Sequence, residues 1–385
     1  MILNDLRVIG SPQTNVVMGA EAIRVAQRVL GRRPPAPRKE GLGQLVFPFD
    51  AELAAAWITY LRTPTRIVWD CARSSATRLA PLYEELLDDL SHDDRPLFVD
   101  GEGISVEARR VGGFAAGERQ VVGTVKNALI EAARRRGARL HVDPDRYDAL
   151  WVARLDDQQQ LVVSRDLGGR SLSQRGWRLE QGEAPLREHL AAVLLMLCRY
   201  DPRRDVLVDP MCGSGTIPIE AALAARGVPR PRPSTISPRW GWPTHQAPMF
   251  PDAAPLVIGC DFDLGVLAKA RDNSRRAQVA ADSVWQRVDV ARLAPQLVEQ
   301  ICVERGRPFG PGLLLCNPPY GERLEPEDLL ELYQALADSA RRFTGWRLGV
   351  LTASPLLERV LGPRPAMKKP LANGPLRSYF YLYEL

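Results

Sequence analysis

The segment "VLVDPMCGSGTIPIEAALAA", residues 206–225, joins a short apolar strand, a glycine turn and a helical pattern. Glycine at Gly213 and Gly215 allows positive φ and a close approach of the backbone to a ligand at the carboxyl end of the strand, where open α/β sheets bind cofactors. A dinucleotide-binding fingerprint would need glycine instead of Pro218, and a phosphate-binding Walker loop would need a lysine that is absent. Asp209 at the strand end suits an ammonium group, which favours a cofactor with an amino-acid tail over a plain tight turn.

The chain from Asp205 onward alternates short, continuous apolar runs with helical patterns. The runs are "DVLVD", "APLVIGCD", "SVWQRVD", "GLLLCN" and "WRLGVLT". Such runs are typical of parallel strands that are covered on both faces, so this part is predicted to be doubly wound α/β. A Pro-rich stretch at residues 226–255 is too irregular for a helix or strand, and we interpret it as an insertion within a domain.

Carboxylates follow the next two strand-like runs. Asp261 and Asp263 end "LVIGCDFD", and Asp289 closes "RVDVA". A carboxylate after the second strand can accept hydrogen bonds from both hydroxyls of a ribose, and one after the third can bond an adenine amino group. The spacing from the glycine turn exceeds the usual ~20 residues, and the Pro-rich insertion accounts for the excess. Each carboxylate alone is typical of a solvated loop, but together they indicate a nucleoside site.

The fourth run, "LLLCNPPYGERL" at residues 313–324, ends on two consecutive prolines. Proline has no N–H and a fixed φ, so Pro318 and Pro319 form a stiff corner with outward carbonyls. With Asn317 they offer acceptors for both hydrogens of one exocyclic amino group, and Tyr320 offers a face for ring stacking. Holding both hydrogens favours a tetrahedral nitrogen that can attack an electrophilic methyl group, which predicts amino-group methylation without a strong base. Guanine and adenine both present such an amine, and a plain turn is the structural alternative.

Composition limits the class of protein. The chain has 385 residues, 45% of them hydrophobic and 25% charged, which is typical of a globular protein of two or three domains. The net charge of +5 is compatible with a phosphate-rich partner without requiring one. The six cysteines and four histidines lack the spacing of a zinc or redox motif, so we expect reduced thiols and no metal. No signal peptide or membrane span is evident, so we expect a cytoplasmic protein.

The first half of the chain has a different pattern. "DAELAAAWITYL", "RLAPLYEELLDDL" and "VVGTVKNALIEAARRRG" are predicted helices, "TRIVWDC" and "PLFVDGEGISVEARR" are strand-like, and "ALWVARL" with "QLVVSRDL" is a predicted β-hairpin. This half is therefore predicted to be α+β. A strong helix, "APLREHLAAVLLMLCRY", precedes the second half.

At these motifs the sequence resembles class I S-adenosylmethionine-dependent N-methyltransferases. More narrowly, it resembles the THUMP-domain RNA guanine-N2 methyltransferases, most of all the bacterial 23S rRNA (guanine-N2) methyltransferase family. "SLSQRGWR", "APLREHLAA", "DPMCGSGTIPIEAAL", "GCDFD" and "NPPYGERL" occur in that family's order, and the terminal "LANGPLRSYFYLYEL" looks like the closing hairpin of its fold. The resemblance covers most of the chain.

The resemblance implies a C-terminal class I (Rossmann-like) methyltransferase domain with a seven-stranded doubly wound sheet, preceded by an α+β ferredoxin-like/THUMP region. Residues 1–40 match the family poorly, so we expect its first domain to be reduced. The implied domains are a reduced ferredoxin-like domain at residues 1–73, a THUMP RNA-binding domain at 74–169, a linker at 170–186 and the methyltransferase domain at 187–385. The second methyltransferase domain of some bacterial relatives is not expected.

The resemblance also implies functional residues, which fall into three sets. The residues implied to hold the target base are Asn317, Pro318, Pro319 and Tyr320. Those implied to bind S-adenosylmethionine are Asp209, Met211, Gly213, Gly215, Thr216, Asp261, Asp289, Val290 and Asn317. Candidates for RNA phosphate contacts are Arg109, Arg110, Lys126, Arg134, Arg135 and Arg136, for which a solvated helix face is the alternative.

The function that the resemblance implies is methyl transfer to the 2-amino group of a guanosine in 23S rRNA. A tRNA guanine-N2 methyltransferase and a non-catalytic RNA-binding ribosome-assembly factor are the alternatives. The Asn-Pro-Pro-Tyr corner also suits adenine-N6 methylation of DNA, against which the THUMP-like half argues. The expected partner is RNA, with no membrane and no metal, and the expected state is a monomer.

Overall fold

The computed structural model describes residues 1–112, 114, 116–169, 171–178, 186–230, 240–319, 325–373 and 376–385. The chain forms two compact units, neither of which is continuous in sequence. The first unit comprises Met1–Gly10, Met18–Leu172 and Arg230–Gln246. The second unit comprises Ser11–Val17, Ser173–Pro229 and Ala247–Leu385.

The first unit is built on one eight-stranded sheet. Its strands are β1 (Ile2–Ile9), β2 (Arg38–Lys39), β3 (Gln44–Pro48), β4 (Arg66–Ser74), β5 (Gly103–Arg109), β6 (His141–Val142), β7 (Ala149–Leu155) and β8 (Leu161–Asp166). The helices that accompany them are α1 (Asn15–Leu30), α2 (Ala51–Tyr60), α3 (Leu79–Ser91) and α4 (Glu118–Arg135). The strand order is β2-β3-β1-β4-β8-β7-β5-β6.

The first 74 residues contain every element of a ferredoxin-like βαββαβ motif. The motif runs β1-α1-β2-β3-α2-β4, and its strands lie side by side in the order β2-β3-β1-β4 with antiparallel neighbours. Only β2, with two residues, is short. All six elements are thus present, and the reduced ferredoxin-like domain at residues 1–73 stays a prediction.

The remaining strands of the first unit extend the same sheet. β7 and β8 form the predicted antiparallel hairpin, and β8 pairs with β4 across the boundary that we predicted at residues 73 and 74. Only Gly103–Arg109 of the strand-like "PLFVDGEGISVEARR" is a strand. The predicted boundary thus falls at the end of β4, and strands on both sides of it belong to one sheet. The THUMP domain at residues 74–169 stays a prediction.

The second unit contains the predicted seven-stranded sheet. Its strands are β9 (Val206–Asp209), β10 (Val257–Asp261), β11 (Ser283–Arg287), β12 (Gly312–Cys316), β13 (Arg347–Thr352), β14 (Met367–Asn373) and β15 (Leu376–Glu384). Its helices are α5 (Glu188–Leu197), α6 (Thr216–Arg226), α7 (Leu264–Arg276), α8 (Pro295–Glu304), α9 (Pro326–Ala340) and α10 (Leu356–Leu361). The strand order is β11-β10-β9-β12-β13-β15-β14, and β15 runs antiparallel to both of its neighbours, β13 and β14, whereas the other pairs are parallel.

The continuous apolar runs of this sheet are explained by burial on both faces. In β12, Leu313 and Leu315 pack in one core cluster, whereas Leu314 and Cys316 pack in a second. Successive side chains of a strand point to opposite faces, so both faces need apolar residues. The strand order reverses between β9 and β12, and the carboxyl ends of these two strands therefore flank the crevice in which such sheets bind ligands.

The Pro-rich stretch contributes to both units. Residues 226–229 and 247–255 belong to the second unit, and Arg230–Gln246 belongs to the first. Arg230 belongs to the first unit, where its Nε donates to the carbonyl of Ile58 at 3.0 Å. Trp240 and Trp242 stack at 4.6 Å between ring centroids, and both lie 6.2 Å from Trp69 of β4. The interpretation of residues 226–255 as an insertion within a domain agrees with the second unit, which Arg230–Gln246 interrupts; the described residues of this insertion, Arg230 and 240–246, belong to the first unit.

Within the described ranges, no helix combines the length and the apolar character needed to cross a membrane. All six cysteines are buried and free.

Candidate functional site

A cavity of about 700 Å³ opens at the carboxyl ends of β9, β10 and β12. It brings together residues from four of the predicted motifs and from one helix. Its lining residues are Leu186, Asp209, Pro210, Met211, Cys212, Gly213, Ser214, Thr216, Ile217, Asp261, Phe262, Val288, Asp289, Val290, Asn317, Pro319, Asp328, Glu331, Leu332 and Ala335. None of these is a lysine, arginine or histidine, so the described wall of the cavity carries only negative charge.

The glycine turn forms the floor of this cavity. Gly213 has φ of +52° and donates its N–H to Oδ2 of Asp261 at 3.0 Å, which joins the ends of β9 and β10. Gly215 has φ of +87° and caps α6, but it does not line the cavity. A Cβ at Gly215 would lie 2.6 Å from the ring of Trp285 on β11. Gly215 therefore serves close packing behind the turn, and its predicted contact with a cofactor would be indirect.

Asp209 is a buried carboxylate without a cation. Its Oδ1 accepts from the backbone N–H of Met211 at 3.1 Å, and no described lysine or arginine pairs with it. Burial raises the pKa of Asp209 well above its ordinary value, and the negative charge of Asp261 adds to this effect. An isolated buried carboxylate is costly, and a bound cation would offset that cost.

Asp261 and Asp289, the two carboxylates predicted to hold a nucleoside, both line the cavity. Asp261 accepts from Gly213 and, through Oδ1, from the N–H of Asp263 at 3.1 Å; burial raises its pKa as well. Asp263 has a structural role instead: its side chain caps α7 by accepting a hydrogen bond from the N–H of Gly265 at 2.6 Å. Asp289 lies in an exposed turn after β11, and Val290 beside it is buried.

The end of β12 supplies the polar corner that the two prolines predict. Asn317 lines the cavity, and its Oδ1 is buried with no hydrogen-bond donor among the described residues. Pro319 lines the same cavity, whereas Pro318 is buried and does not. Tyr320 lies outside the described residues. A buried amide oxygen without a donor is costly, so Oδ1 of Asn317 is suited to accept a hydrogen bond from a bound molecule.

Two further motifs, one before α5 and one that contains its first residues, support the glycine turn. Arg178 of "SLSQRGWR" donates through Nη2 to Oγ1 of Thr216 at 2.5 Å and to the carbonyl of Leu186 at 3.0 Å. Its Nε lies 3.5 Å from Oε1 of Glu188 in "APLREHLAA". Thr216 is the first residue of α6, so these contacts fix the start of that helix at the edge of the cavity.

Sequence reasoning missed two contributions to the cavity. Phe262, which follows Asp261, lines it although 71% of its surface is exposed. One face of α9 lines it with Asp328, Glu331, Leu332 and Ala335. The signal available in the sequence was the pair of carboxylates one helical turn apart, shortly after the Asn-Pro-Pro-Tyr corner.

The residues predicted to contact RNA all belong to the first unit, but they differ in their surroundings. Arg109 and Arg110 line a separate cavity of about 190 Å³, and Arg110 has an unusual φ of +55°. Lys126 makes no ion pair with a described residue. Arg136 is held by carbonyl oxygens, with Nη2 donating to Arg95 at 2.5 Å and the guanidinium lying over the ring of Phe98.

Arg134 and Arg135 share one partner. Nη2 of Arg134 donates to Oε1 of Glu131 at 2.7 Å, and Nε of Arg135 lies 3.3 Å from the same oxygen. Arg109 is also paired, with Nη2 donating to Oε2 of Glu107 at 2.6 Å. Arg110 and Lys126 form no ion pair with a described residue, so these two are better placed to meet a phosphate than Arg136, whose contacts hold the end of α4.

All the residues that line this cavity lie within the part of the chain that matches a known family model. Residues 175–380 match the family model described as RMKL-like, methyltransferase domain (UPF0020). A curated relative, the ribosomal RNA large subunit methyltransferase K/L of Aeromonas salmonicida, is 36% identical over 288 residues, which cover 68% of this chain and 39% of the relative. The chain thus spans about two fifths of the length of the curated relatives that it matches.

Solved structures match along almost the entire chain. A predicted N6-adenine-specific DNA methylase from Listeria monocytogenes is 25% identical with a TM-score of 0.77, covering 99% of this chain and 96% of that one. A putative methyltransferase solved in complex with SAH is 23% identical with a TM-score of 0.76, covering 99% and 98%. These matches confirm the predicted fold class.

Proposed function

Because this chain belongs to the UPF0020 family of RMKL-like methyltransferase domains, we propose that it transfers a methyl group from S-adenosylmethionine to the 2-amino group of a guanosine in 23S rRNA. The observation that carries the proposal is the buried, unpartnered Oδ1 of Asn317 in a cavity lined by carboxylates. The names of the curated relatives support ribosomal RNA as the substrate class.

The residues of the cavity fit S-adenosylmethionine. Asp209 would pair with its ammonium group, Asp261 would accept from the ribose hydroxyls, and Asp289 would bond the adenine amine. The exposed ring of Phe262 offers a flat face beside Asp261. The SAH in a similar solved structure supports the same cofactor class. When bound, S-adenosylmethionine supplies a methyl carbon on cationic sulfur. The N–C bond would form as the C–S bond breaks, the electron pair of the C–S bond would stay on sulfur, and the amine would lose one proton.

Asn317 and the proline corner would act on the target amine. Oδ1 of Asn317 accepts one amine hydrogen, and a backbone carbonyl of the corner accepts the other. With both hydrogens held, the nitrogen lone pair is drawn out of conjugation with the ring and toward the electrophile. The proton leaves after transfer, so the chain needs no strong base, and its contribution is positioning and electrostatic stabilisation.

A second candidate is methylation of the 6-amino group of adenine. The similar Listeria protein is described as a predicted N6-adenine-specific DNA methylase, and the acceptors at Asn317 suit either amine. The first unit, with Arg109, Arg110 and Lys126 exposed to a phosphate backbone, supports RNA over DNA only if residues 74–169 are the RNA-binding domain that we predict. A location in the cytoplasm and a monomeric state stay predictions.

The test is nucleoside mass spectrometry of RNA treated with the purified chain. Deproteinised 23S rRNA, 16S rRNA and tRNA are incubated separately with S-adenosylmethionine that carries a deuterated methyl group. We expect labelled N2-methylguanosine in 23S rRNA and none with Asn317→Ala. Label in tRNA alone would favour the tRNA enzyme, label in N6-methyladenosine would favour the second candidate, and binding of RNA without any label would favour an assembly factor.

A further inference from the structure

The hairpin formed by β14 and β15 carries two cations that share one aromatic ring. Cζ of Arg377 lies 5.9 Å from the centroid of the Tyr379 ring, and Nζ of Lys368 lies 5.2 Å from the same centroid. Both cations are exposed, whereas Tyr379 is half-buried. Cation–π contacts at such distances are attractive, so the ring of Tyr379 fixes the spacing of the two charges. We call Lys368, Arg377 and Tyr379 the hairpin surface.

The charge around the hairpin surface has a single sign. From Arg359 to Tyr383 the chain contains five basic residues and no acidic residue. Lys368 forms an exposed ion pair with Glu358, which precedes this stretch, and exposed pairs contribute little. Arg377 forms no ion pair with any residue that the structure describes. Like charges on one surface repel each other, and a phosphate backbone offsets that repulsion.

The strand register places the hairpin surface at the edge of the sheet where the cavity opens. Cys316, the last residue of β12, lies in one row with Tyr381 of β15, across β13. Thr352, the last residue of β13, pairs with Tyr379. Arg377 therefore lies beyond the carboxyl end of β13, and this end shares an edge with the carboxyl end of β12 because the two strands are parallel.

The same register gives the distance from Arg377 to the polar corner at Asn317. Arg377 lies three residues along β15 beyond the row of Asn317, and β15 is the second strand from β12. With a rise of about 3.4 Å per residue and a strand spacing of about 4.8 Å, each offset is about 10 Å. An RNA strand whose base enters the corner at Asn317 carries the phosphates of neighbouring nucleotides within this reach.

We propose that the hairpin surface binds phosphates of single-stranded RNA beside the target nucleotide. Arg377 and Lys368 contact the phosphates, and Tyr379 holds the two cations in position. The inference rests on the proposed methyl transfer for the position of the target base, and it adds an RNA contact in the second unit. The RNA contacts predicted from the sequence all belong to the first unit.

The test is filter binding of the full chain to deproteinised 23S rRNA at several salt concentrations. Each phosphate contact to a single strand adds about 0.7 to the slope of log K against log salt. We expect the slope to fall by about 0.7 in Arg377→Ala and by about 1.4 in the double variant Lys368→Ala/Arg377→Ala. Arg377→Lys keeps the charge and should keep the slope. Tyr379→Leu removes no charge, so it should weaken binding with the slope retained.

The matched control is Arg364→Ala. Arg364 is also exposed and forms no ion pair with a described residue, but it precedes β14, which begins at Met367 on the opposite edge of the sheet. Its removal should leave the slope at the wild-type value. The calorimetric affinity for S-adenosylhomocysteine should match wild type in every variant, which separates a lost RNA contact from damage to the fold.

Two results on the slope would overturn the inference. One is a wild-type slope in the double variant, and the other is an equal loss in Arg364→Ala, which would assign the effect to net charge alone. Tighter binding to single-stranded DNA of the same sequence would overturn the choice of RNA. If the double variant loses slope as expected while the wild-type chain transfers no methyl group, the hairpin surface stands as an RNA contact and the proposed function fails.

Discussion

Asp70 in the first unit and Asp209 in the second are the same residue type with nearly the same burial, yet they have opposite surroundings. Asp70 accepts from Nε of Arg7 at 2.8 Å, from Nη2 of Arg154 at 3.0 Å and from Oγ of Ser164 at 2.6 Å. Asp209 accepts from one backbone N–H and faces a cavity. A buried carboxylate that is fully paired holds a fold together, whereas one that lacks a cation is available to a ligand.

The largest effect should come from removing the paired carboxylate. Asp70→Ala leaves Arg7 with a partner only in Glu40 and Gln44 and leaves Arg154 buried without its partner. We expect a loss of about 3–5 kcal/mol in the free energy of unfolding, measured by urea denaturation of the full chain.

Glu107→Ala is the control for Asp70→Ala, because it breaks only an exposed pair with Arg109 and should cost less than about 1 kcal/mol. Equal destabilisation by the two variants would contradict the assignment of Asp70 as structural.

Removing the unpartnered amide of Asn317 should have the reverse effect, with little loss of stability and a large loss of activity. Asn317→Ala removes an acceptor that no described residue uses, so the melting temperature should not fall, whereas kcat should drop by about 10²- to 10³-fold. The measurements are differential scanning fluorimetry and methyl transfer to deproteinised rRNA. A variant that melts much earlier than wild type would instead place Asn317 with Asp70 among the residues that hold the fold.

The glycine turn allows a comparison within one loop. A Cβ at Gly215 would lie 2.6 Å from the ring of Trp285, whereas one at Gly213 would meet nothing within 4 Å. Gly215→Ala should cost about 1–3 kcal/mol of stability through overpacking in addition to backbone strain. Gly213→Ala carries the strain alone and should cost less. Urea denaturation of both variants decides the order, and a larger cost for Gly213→Ala would contradict the packing role.

The affinity for a cationic ligand should depend on pH through Asp209. Burial raises the pKa of this carboxyl well above its ordinary value of 3.8, so the folded free protein holds a proton that the unfolded chain has lost. Between the ordinary pKa and the raised one, rising pH therefore lowers the stability of the free protein. Over the same range the charged form of Asp209 becomes more abundant, so the affinity for a cationic ligand should rise by up to about tenfold per pH unit. Calorimetric titrations with S-adenosylhomocysteine between about pH 5 and pH 8 should show this slope, and Asp209→Asn should flatten it.

The smallest effect is expected on the surface of the first unit. Lys126→Ala should weaken rRNA binding a few-fold and reduce the slope of log K against log salt by about one, as for a single phosphate contact. Arg136→Ala should lower the melting temperature with little change in that slope, because its guanidinium is held by backbone carbonyls. Filter-binding at several salt concentrations separates the two variants, and a slope for Lys126→Ala equal to that of the wild type would remove Lys126 from the RNA surface.

Much of the second unit could be predicted because its signals are local. The apolar run at Leu313–Cys316 requires burial on both faces, and the two prolines after Asn317 end the strand whatever surrounds it. The end of β10 at Asp261 follows from the same pattern. The confirmed fold and the cavity at its strand ends rest on these residues.

What could not be predicted depends on contacts between distant residues. β1 carries Arg7 at an inward position, which a pattern of apolar residues does not reveal, because Asp70 neutralises it from 63 positions away. The contribution of α9 to the cavity is also absent from the sequence pattern, because its exposed carboxylates Asp328 and Glu331 resemble any solvated helix face. The packing of Trp285 on Gly215 likewise requires knowing that β11 lies at the edge of the sheet next to β10.

The discontinuity of the first unit bears on how the chain is made. Its sheet ends by residue 166 and its first long segment by Leu172, but Trp240 and Trp242, which cover Trp69, follow about 70 residues later. At a synthesis rate of about 5–20 residues per second, these last aromatic side chains of the N-terminal core are added about 4–14 seconds after Leu172. During that interval the nascent chain exposes an aromatic surface to the ribosome and to chaperones, and a stall in translation between these segments would prolong the exposure.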